Sequence, residues 1–338
     1  MPEGHTVHRL ARALDGLFGG QPLAVSSPQG RFAGGAALLD GRRVAAVEAW
    51  GKQLFCAFAP VGSDDDAAAA ADDVRWLRVH LGLYGAWTFA GDGSADVVHA
   101  IGAPRRRIGE RETTPDLPDP IHPGADEQAP GAGDWTPPAP RGAVRLRLVG
   151  AHAVADLTGP TACEVLTDRE KAAVEARLGP DPIRDGGDGS RTAFVERVRR
   201  SRVTVGQQLM DQAVIAGVGN IYRAEALFRA GLDPLRPGRD VPAAALAAMW
   251  DDLVVLMRDG AATGAIVTTR PEHRVPDGVH VAARRTRQNT DGTVGAVPAD
   301  EAFYVYHRDG LPCRVCGAPV LTKELAGRNL FWCGVCQA

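Results

Sequence analysis

The stretch Asp211–Glu225 reads DQAVIAGVGNIYRAE and predicts a tight turn that leads directly into a helix. Gly217 and Gly219 permit the turn, and Asn220 is placed to open the helix. We expect the Asn220 side chain and the first free N–H groups of this helix to form a phosphate cradle. An ordinary helix cap is the alternative interpretation of the same asparagine.

Helical patterns surround this motif on both sides. A stretch at 176–190 that is rich in Gly, Pro and Asp precedes them and is typical of a linker. Residues 263–300 are irregular and receive no assignment. The spacing of apolar residues predicts four helices: Thr192–Ser201, Val205–Gln212, Asn220–Ala230 and Val241–Met257.

The first half of the chain combines one helix with many short strands. Apolar residues recur at helical spacing from Val7 to Leu17, and Gly19-Gly20 ends the run. From about residue 22 to 165 the pattern indicates a mostly antiparallel sandwich or barrel-like domain. The predicted strands are Arg43–Ala49, Gln53–Phe58, Val74–Leu81, Ala86–Phe89, Val144–Val149 and Ala153–Leu157.

The chain ends with two cysteine pairs, Cys313-x2-Cys316 and Cys333-x2-Cys336, which are separated by sixteen residues. Each pair supplies two thiolates from a short turn, so the four cysteines match one structural Zn²⁺ with no open coordination position. Phe303, Tyr304 and Tyr306 are predicted to form a strand that enters this module. The fold class is α+β, with domains at 1–175 and 191–300, a linker at 176–190 and a zinc finger at 303–338.

The net charge of −3 conceals a basic folded part. Two acidic stretches without periodicity, near 61–73 and 109–142, are interpreted as solvated insertions. The charged residues of 61–73 contribute −5 and those of Gly109–Trp135 contribute −6, so the rest of the chain carries +8. A basic surface of this kind suits a partner that carries phosphates.

The chain begins Met1-Pro2-Glu3, so removal of Met1 leaves a nucleophilic secondary amine beside a carboxylate. The alternative for Pro2 is a small second residue that only permits this removal. Lys52 is one of three lysines, against 35 arginines. A lysine exchanges protons when its pKa is lowered, whereas an arginine keeps its charge; a solvated turn lysine is the alternative for Lys52.

Neither a transmembrane stretch nor a signal peptide is evident in the sequence. Cys56 and Cys163 lie singly among apolar residues and are predicted to be buried free thiols. These features predict a cytoplasmic protein in a reducing compartment, with no membrane partner.

Pro2-Glu3, the DQAVIAGVGNIYRAE motif and the four-cysteine module together resemble the formamidopyrimidine-DNA glycosylase/endonuclease VIII family. The resemblance covers nearly the whole chain apart from the acidic stretches. It implies a bifunctional DNA glycosylase and AP lyase of base excision repair that acts on damaged DNA. It further implies a monomer in bacteria, associated with the nucleoid, with a helix–two-turn–helix around 205–230.

The resemblance also implies a role for each matching residue. Pro2 forms a Schiff base with the damaged nucleotide, and Glu3 protonates the ribose ring oxygen and later shuttles protons. Lys52 contacts DNA and assists proton transfer. Asn220 grips the DNA backbone. Arg328, expected on the loop between the cysteine pairs, reaches the flanking phosphates and assists δ-elimination.

A loop from His80 to Gly85 resembles the segment that fills the gap left by a flipped base. Its candidate DNA-binding residues are Gly82, Leu83 and Tyr84. Leu83 and Tyr84 adjacent in one loop fit the endonuclease VIII branch, which favours oxidised pyrimidines. Gly82 stands where relatives often have Gln, and an alternating strand is the other interpretation of this stretch.

The sequence departs from the family pattern at two further places. Gly4, His5 and Thr6 follow Glu3, with no acid where relatives often carry a second glutamate, and His5 is expected to be structural. Gly206 stands where guanine-lesion relatives carry a lysine. The alternatives are the 8-oxoguanine branch of the family, a DNA-binding protein without catalysis, and an N-terminal-proline tautomerase, which leaves the cysteines and Asn220 unexplained.

Overall fold

A computed structural model describes residues 2–61, 73–94, 100–102, 135–274, 297–298 and 300–338. Most of both predicted acidic insertions therefore lies outside the described residues, as does most of the unassigned stretch 263–300. Residues 135–143 carry no helix or strand. No helix among the described residues is long and apolar enough to cross a membrane.

The described residues form two compact units by their contacts. The first comprises Met1–Pro2, Leu10–Glu48 and Gln53–Lys171, and the second comprises Glu3–Arg9, Ala49–Lys52 and Ala172–Ala338. The domain limits drawn from the sequence stay a prediction.

The N-terminal half confirms the predicted helix and antiparallel sheets. Helix α1 (Gly4–Phe18) buries Val7, Leu10 and Leu14, which share one face. A four-stranded sheet has the order β2-β3-β4-β9, and a five-stranded sheet has the order β1-β7-β8-β5-β6. The strands are β1 (Ala24–Ser26), β2 (Arg43–Trp50), β3 (Gln53–Ala59), β4 (Arg75–His80), β5 (Ala86–Gly91), β6 (Ala100–Gly102), β7 (Val144–Val149), β8 (Ala153–Thr158) and β9 (Ala162–Leu166).

All six strands predicted in this half of the chain are present, and the elements that the sequence missed here are short. These are β1, β6, β9 and two helices, α2 (Ala33–Leu39) and α3 (Asp168–Glu175). Cys56 is buried on β3 and Cys163 is half-buried on β9, both as free thiols. Elements of three to eight residues carry too few apolar positions for a period to be recognised.

The second unit contains helices α4 (Asp188–Arg199), α5 (Val205–Gln208), α6 (Asn220–Arg229) and α7 (Ala243–Thr263). Helix α6 is buried on every face from Asn220 to Phe228. One side packs in the apolar core that it shares with α4, α5 and α7, and Ala224 and Phe228 pack with Val305 and Phe331 in a second apolar cluster. Helix α5 ends at Gln208, earlier than predicted, since the following residues turn towards α6.

The predicted strand through Phe303, Tyr304 and Tyr306 is wrong, because this segment consists of bends and turns. The N–H groups of Tyr304, Val305 and Tyr306 all donate to the carboxylate of Glu225, each at 2.8 Å. Because these three N–H groups all bond to Glu225, they are not available for hydrogen bonds to a neighbouring strand. The hairpin β10 (Leu321–Leu325) and β11 (Arg328–Trp332) completes the chain.

Candidate active site

Glu3 is fully buried and caps a helix that lies more than two hundred residues away in the sequence. Its carboxylate accepts hydrogen bonds from the N–H groups of Gly219 at 2.9 Å and Ile221 at 2.8 Å. The N–H of Tyr222 adds a longer bond of 3.4 Å. A carboxylate at the start of a helix is favoured by these free donors and by the helix dipole. Glu3 is therefore held in one position by α6.

This arrangement corrects the expected phosphate cradle. The N–H groups of Gly219, Ile221 and Tyr222 donate to Glu3, so they are not free to hold a phosphate. Asn220 uses its own side chain differently: Nδ2 donates to the carbonyl oxygen of Asn329 at 3.0 Å, and Oδ1 accepts from Arg223. The start of α6 is thus occupied by protein groups of the same unit.

Arg223 is a buried guanidinium that the sequence did not single out. Its Nη2 donates to the carbonyl oxygen of Asn329 at 2.9 Å as well as to Asn220. Burial lowers the pKa of Arg223 to about 10, an effect that the nearby Glu3 carboxylate opposes. Arg223 and Asn220 together fasten β11 to α6.

Lys52 and Arg328 belong to the same charged cluster as Glu3. Burial lowers the pKa of Lys52, the Glu3 carboxylate opposes this, and the positive charge of Arg328 adds to the lowering. Arg328 is the first residue of β11, directly before Asn329, and so lies at the end of the hairpin turn. A lysine with a lowered pKa beside a carboxylate is suited to give and take protons.

The two other lysines have different environments. Lys171 is buried, pairs with Glu48 at 2.6 Å, and lies 4.3 Å from the ring centre of Trp76. Lys323 is exposed on β10. Of the three lysines, Lys52 is thus the one whose ammonium interacts with Glu3.

Pro2 and His5 flank Glu3 in the chain. Pro2 is buried, directly before Glu3. Burial lowers the pKa of His5 to about 3, so this ring is neutral, and it packs edge-on against Tyr222 with ring centres 5.5 Å apart. This agrees with a structural role for His5.

Glu225 connects α6 to the segment that enters the cysteine module. Besides its three backbone donors it accepts a hydrogen bond from the hydroxyl of Thr268. The carboxylate is fully buried and has donors for both oxygens, which removes much of the penalty of burying a charge. Phe228 on the same helix stacks on Tyr304 at 4.6 Å.

The four cysteine sulfurs fit a single zinc ion. Their Sγ atoms all lie within 4.8 Å of one another, with 3.9 Å between Cys313 and Cys336 and 3.5 Å between Cys316 and Cys333. Sulfurs at about 2.3 Å from a tetrahedral zinc are about 3.8 Å apart. The four cysteines therefore bind one structural zinc, which stabilises the hairpin that carries Arg328.

The loop between β4 and β5 belongs to the first unit and is a turn, not a strand. Tyr84 is 55% exposed and Leu83 is half-buried. Gly82 has a φ of +65°, and a Cβ there would lie 1.8 Å from Oγ1 of Thr161. The glycine at this position is therefore required by its positive φ and by the closeness of Thr161, which lies between β8 and β9.

The second unit thus brings together four of the predicted site residues, Glu3, Lys52, Asn220 and Arg328. Sequence reasoning missed Arg223 and Glu225, although both lie in the quoted motif. One signal in the sequence could have identified them: the apolar residues of α6 are spread around the whole helix, so its charged residues are expected to be buried and paired.

Three protein-family models match the chain. They are the formamidopyrimidine-DNA glycosylase N-terminal domain over 1–119, the formamidopyrimidine-DNA glycosylase H2TH domain over 178–271, and a zinc finger found in FPG and IleRS over 310–338.

Curated relatives include endonuclease 8 1 of Mycobacterium tuberculosis, 42% identical over 337 residues and 100% of both chains. A formamidopyrimidine-DNA glycosylase of a Roseiflexus species is 34% identical over 49% of this chain and 54% of its own. The crystal structure of MutM (Fpg) from Thermus thermophilus matches with a TM-score of 0.62 at 25% identity, covering 99% of this chain and 98% of that one. A complex of Lactococcus lactis Fpg with abasic-site DNA matches with a TM-score of 0.62 at 18% identity, covering 99% of both.

Proposed function

This chain belongs to the formamidopyrimidine-DNA glycosylase/endonuclease VIII family, and we propose that it removes oxidised pyrimidines from DNA through its N-terminal proline. Membership makes it a DNA repair glycosylase with AP lyase activity. The finer assignment is supported by the relative named endonuclease 8 1, which matches over its whole length at 42% identity. The adjacent Leu83 and Tyr84 support the same branch.

The observation that carries the proposal is the charged cluster of Glu3, Lys52 and Arg328, in which Glu3 is the residue directly after Pro2. Glu3 is immobilised by three backbone donors, and Lys52 and Arg328 interact with it electrostatically. A reaction that forms and breaks bonds at a sugar needs an acid and a base at fixed positions. Here a nucleophilic amine, a fixed carboxylate and a lysine of lowered pKa occur together in one chain.

The chemistry starts with the neutral secondary amine of Pro2, once Met1 has been removed. Its nitrogen attacks C1′ and forms a C–N bond, while the bond from C1′ to the base breaks; the base leaves with the electron pair and takes up the proton that the amine loses. Glu3 delivers a proton to the ribose ring oxygen as the ring opens to the iminium. An N-terminal amine suits this step because its ordinary pKa of about 7.7–8.0 leaves a large neutral fraction near neutral pH.

Strand cleavage follows from the iminium. Loss of a proton from C2′ expels the 3′ phosphate by β-elimination, and a second proton loss expels the 5′ phosphate by δ-elimination. Lys52 carries protons between these steps, and the Arg328 guanidinium holds a flanking phosphate in a two-pronged contact. Asn220 contacts the DNA backbone through the second hydrogen of its Nδ2, since the first is donated to Asn329. Gly82, Leu83 and Tyr84 form the loop that fills the gap left by the flipped nucleotide.

One chain supplies every residue in this scheme, so we propose that it acts on damaged DNA as a monomer. The rival within the family is excision of formamidopyrimidine and 8-oxoguanine. It is favoured by the curated relatives named formamidopyrimidine-DNA glycosylase, which match about half of this chain at 32–34% identity.

Borohydride trapping tests both the mechanism and the substrate. The purified protein is reduced in the presence of duplexes that carry thymine glycol, 8-oxoguanine or an abasic site. We expect a covalent adduct that is strongest with thymine glycol and is lost in a chain whose N-terminus is blocked by an uncleaved tag. Lys323→Ala is the matched control, since it removes an exposed lysine.

Each other result has a definite meaning. Preference for 8-oxoguanine assigns the chain to the guanine-lesion branch. An adduct that persists when the N-terminus is blocked refutes the amine of Pro2 as the nucleophile. Intact DNA binding with no adduct on any lesion leaves a DNA-binding protein without catalysis.

A further inference from the structure

The stretch 176–190, predicted as a linker, holds the turn that carries Lys52 at three points. Nε1 of Trp50 donates to the carbonyl oxygen of Gly179 at 2.9 Å. The N–H of Gly51 donates to Oδ2 of Asp181 at 2.6 Å. The guanidinium of Arg184 lies 4.8 Å from the ring centre of Trp50. A linker that only joins two domains has no reason to make such contacts.

Asp181 is the centre of this attachment. It is 2% exposed, and its Oδ2 accepts from Nε2 of His8 at 2.7 Å as well as from Gly51. Its Oδ1 accepts from the N–H of Ile183 at 2.8 Å. Burial raises the pKa of Asp181, but the bonds from His8, Gly51 and Ile183 outweigh burial, so the net shift is downward and the group is a carboxylate.

The two donors to Oδ2 belong to segments that carry proposed catalytic groups. His8 lies on α1, which begins directly after Glu3. Gly51 is the residue before Lys52. One carboxylate oxygen thus joins the helix that follows Glu3 to the turn that presents Lys52.

The turn is also seated on the loop that precedes α6. Gly51 has a φ of +58°, and a Cβ there would lie 2.8 Å from both the Cβ of Ala216 and the nitrogen of Gly217. Gly4 donates its N–H to the carbonyl oxygen of Gly217 at 2.8 Å. With this close seating on one side and Asp181 on the other, the turn has little freedom to move.

We propose that Asp181 is a positioning residue that, paired with His8, fixes the turn of Lys52 against Glu3. The inference rests on the proposed function of Lys52 in proton transfer. Asp181 is not a catalytic residue, since it is buried and both of its oxygens accept hydrogen bonds from the protein. Its effect on the reaction passes through Lys52.

The first test does not need substrate. The chain has three lysines, so a protein labelled with ¹³C at lysine Cε gives three resolvable signals, which lysine-to-arginine variants assign. We expect Asp181→Asn and His8→Ala to raise the measured pKa of Lys52, because a loosened turn lets water reach the ammonium. The matched control is Asp252→Asn, which breaks the pair of Asp252 with Arg229 between α6 and α7.

The second test measures single-turnover excision at saturating enzyme. Asp181→Asn is expected to slow excision by about tenfold or more while DNA affinity stays within about twofold, as expected for a misplaced catalytic group. In the double variant with Lys52→Ala, the loss should be no greater than with Lys52→Ala alone, because coupled residues are not additive. His8→Gln, which keeps a donor towards Asp181, should retain more activity than His8→Ala.

The outcomes separate this inference from the proposed function. An unchanged pKa of Lys52 in both Asp181→Asn and His8→Ala overturns the inference even if the enzyme is active. Fully additive losses with Lys52→Ala overturn it as well, since they indicate general destabilisation. A wild-type protein that forms no Pro2 adduct refutes the proposed function, while the Lys52 signal still reports whether Asp181 positions the turn.

Discussion

Replacing Gly219 by alanine should displace Glu3 without altering any titratable group. Gly219 has φ −126° and ψ −157°, a conformation open to alanine, so the backbone itself imposes no penalty. A Cβ at this position would lie 2.5 Å from Cδ, 2.7 Å from Oε1 and 2.8 Å from Cγ of Glu3. Ordinary carbon–carbon contacts begin at about 3.5 Å, so the Glu3 side chain must retreat by about 1 Å.

The size of the effect follows from the bonds that hold Glu3. The bonds from Gly219 and Ile221, at 2.9 and 2.8 Å, do not survive a retreat of this size. Hydrogen bonds to a charged group contribute about 1.5–3 kcal/mol each, which sets the scale of the disturbance. A displacement of about 1 Å in a catalytic group slows a reaction by about a hundredfold, or about 2.7 kcal/mol.

The assay is single-turnover release of thymine glycol from duplex DNA, with cleavage of a preformed abasic site measured in parallel. We expect base release by Gly219→Ala to fall by about a hundredfold and abasic-site cleavage to fall less, because the base has already left. Gly16→Ala is the matched control: its Cβ meets nothing within 4 Å, and it lies inside α1. That change should stabilise the protein by about 0.5–1 kcal/mol without affecting the rate.

Excision by Gly219→Ala at close to the wild-type rate, with an unchanged melting temperature, would refute the reasoning. It would mean that Glu3 acts from another position or that the fixed carboxylate is not needed.

Three further predictions concern the surroundings of the site. Burial lowers the pKa of Lys52, so activity that needs the proton of this lysine should be lost on the alkaline side, below pH 10.5. Lys52→Arg should move this alkaline limb of the pH–rate profile to higher pH, because an arginine keeps its charge. An alkaline limb that does not move belongs to another group. Glu225→Ala leaves three buried N–H groups without their acceptor, which costs about 1–3 kcal/mol for each group. Calorimetry should therefore show a clearly lower melting temperature, whereas Glu324→Ala on exposed β10 should leave the melting temperature unchanged. Gly82→Gln should lower the free energy of unfolding by about 1–2 kcal/mol because of the positive φ and the clash with Thr161. Denaturant unfolding checks this, and a second change, Thr161→Gly, should recover only the part due to the clash.

Much of the fold was predictable because its signals are local. The helix from Gly4 to Phe18 and the six predicted strands follow from apolar residues at fixed spacing, and that spacing survives any arrangement of the rest of the chain. The prediction of a strand at Phe303–Tyr306 was wrong for the opposite reason. Its aromatic pattern favours a strand, but a buried glutamate about eighty residues away takes its N–H groups.

The zinc module, the family and the identity of the proposed nucleophile were all predictable from local patterns in the sequence. Cysteines two residues apart lie in one turn wherever the chain goes, and the motif at Asp211–Glu225 is contiguous. The hydrogen-bond partners of the buried carboxylates, by contrast, were not predictable before the fold was known. Glu3 bonds to residues 216 and 218 positions away, and Asp181 bonds to Gly51 and His8 at separations of 130 and 173. A carboxylate bonds to whichever N–H groups packing leaves free beside it, and this depends on how distant segments meet rather than on any pattern within one of them.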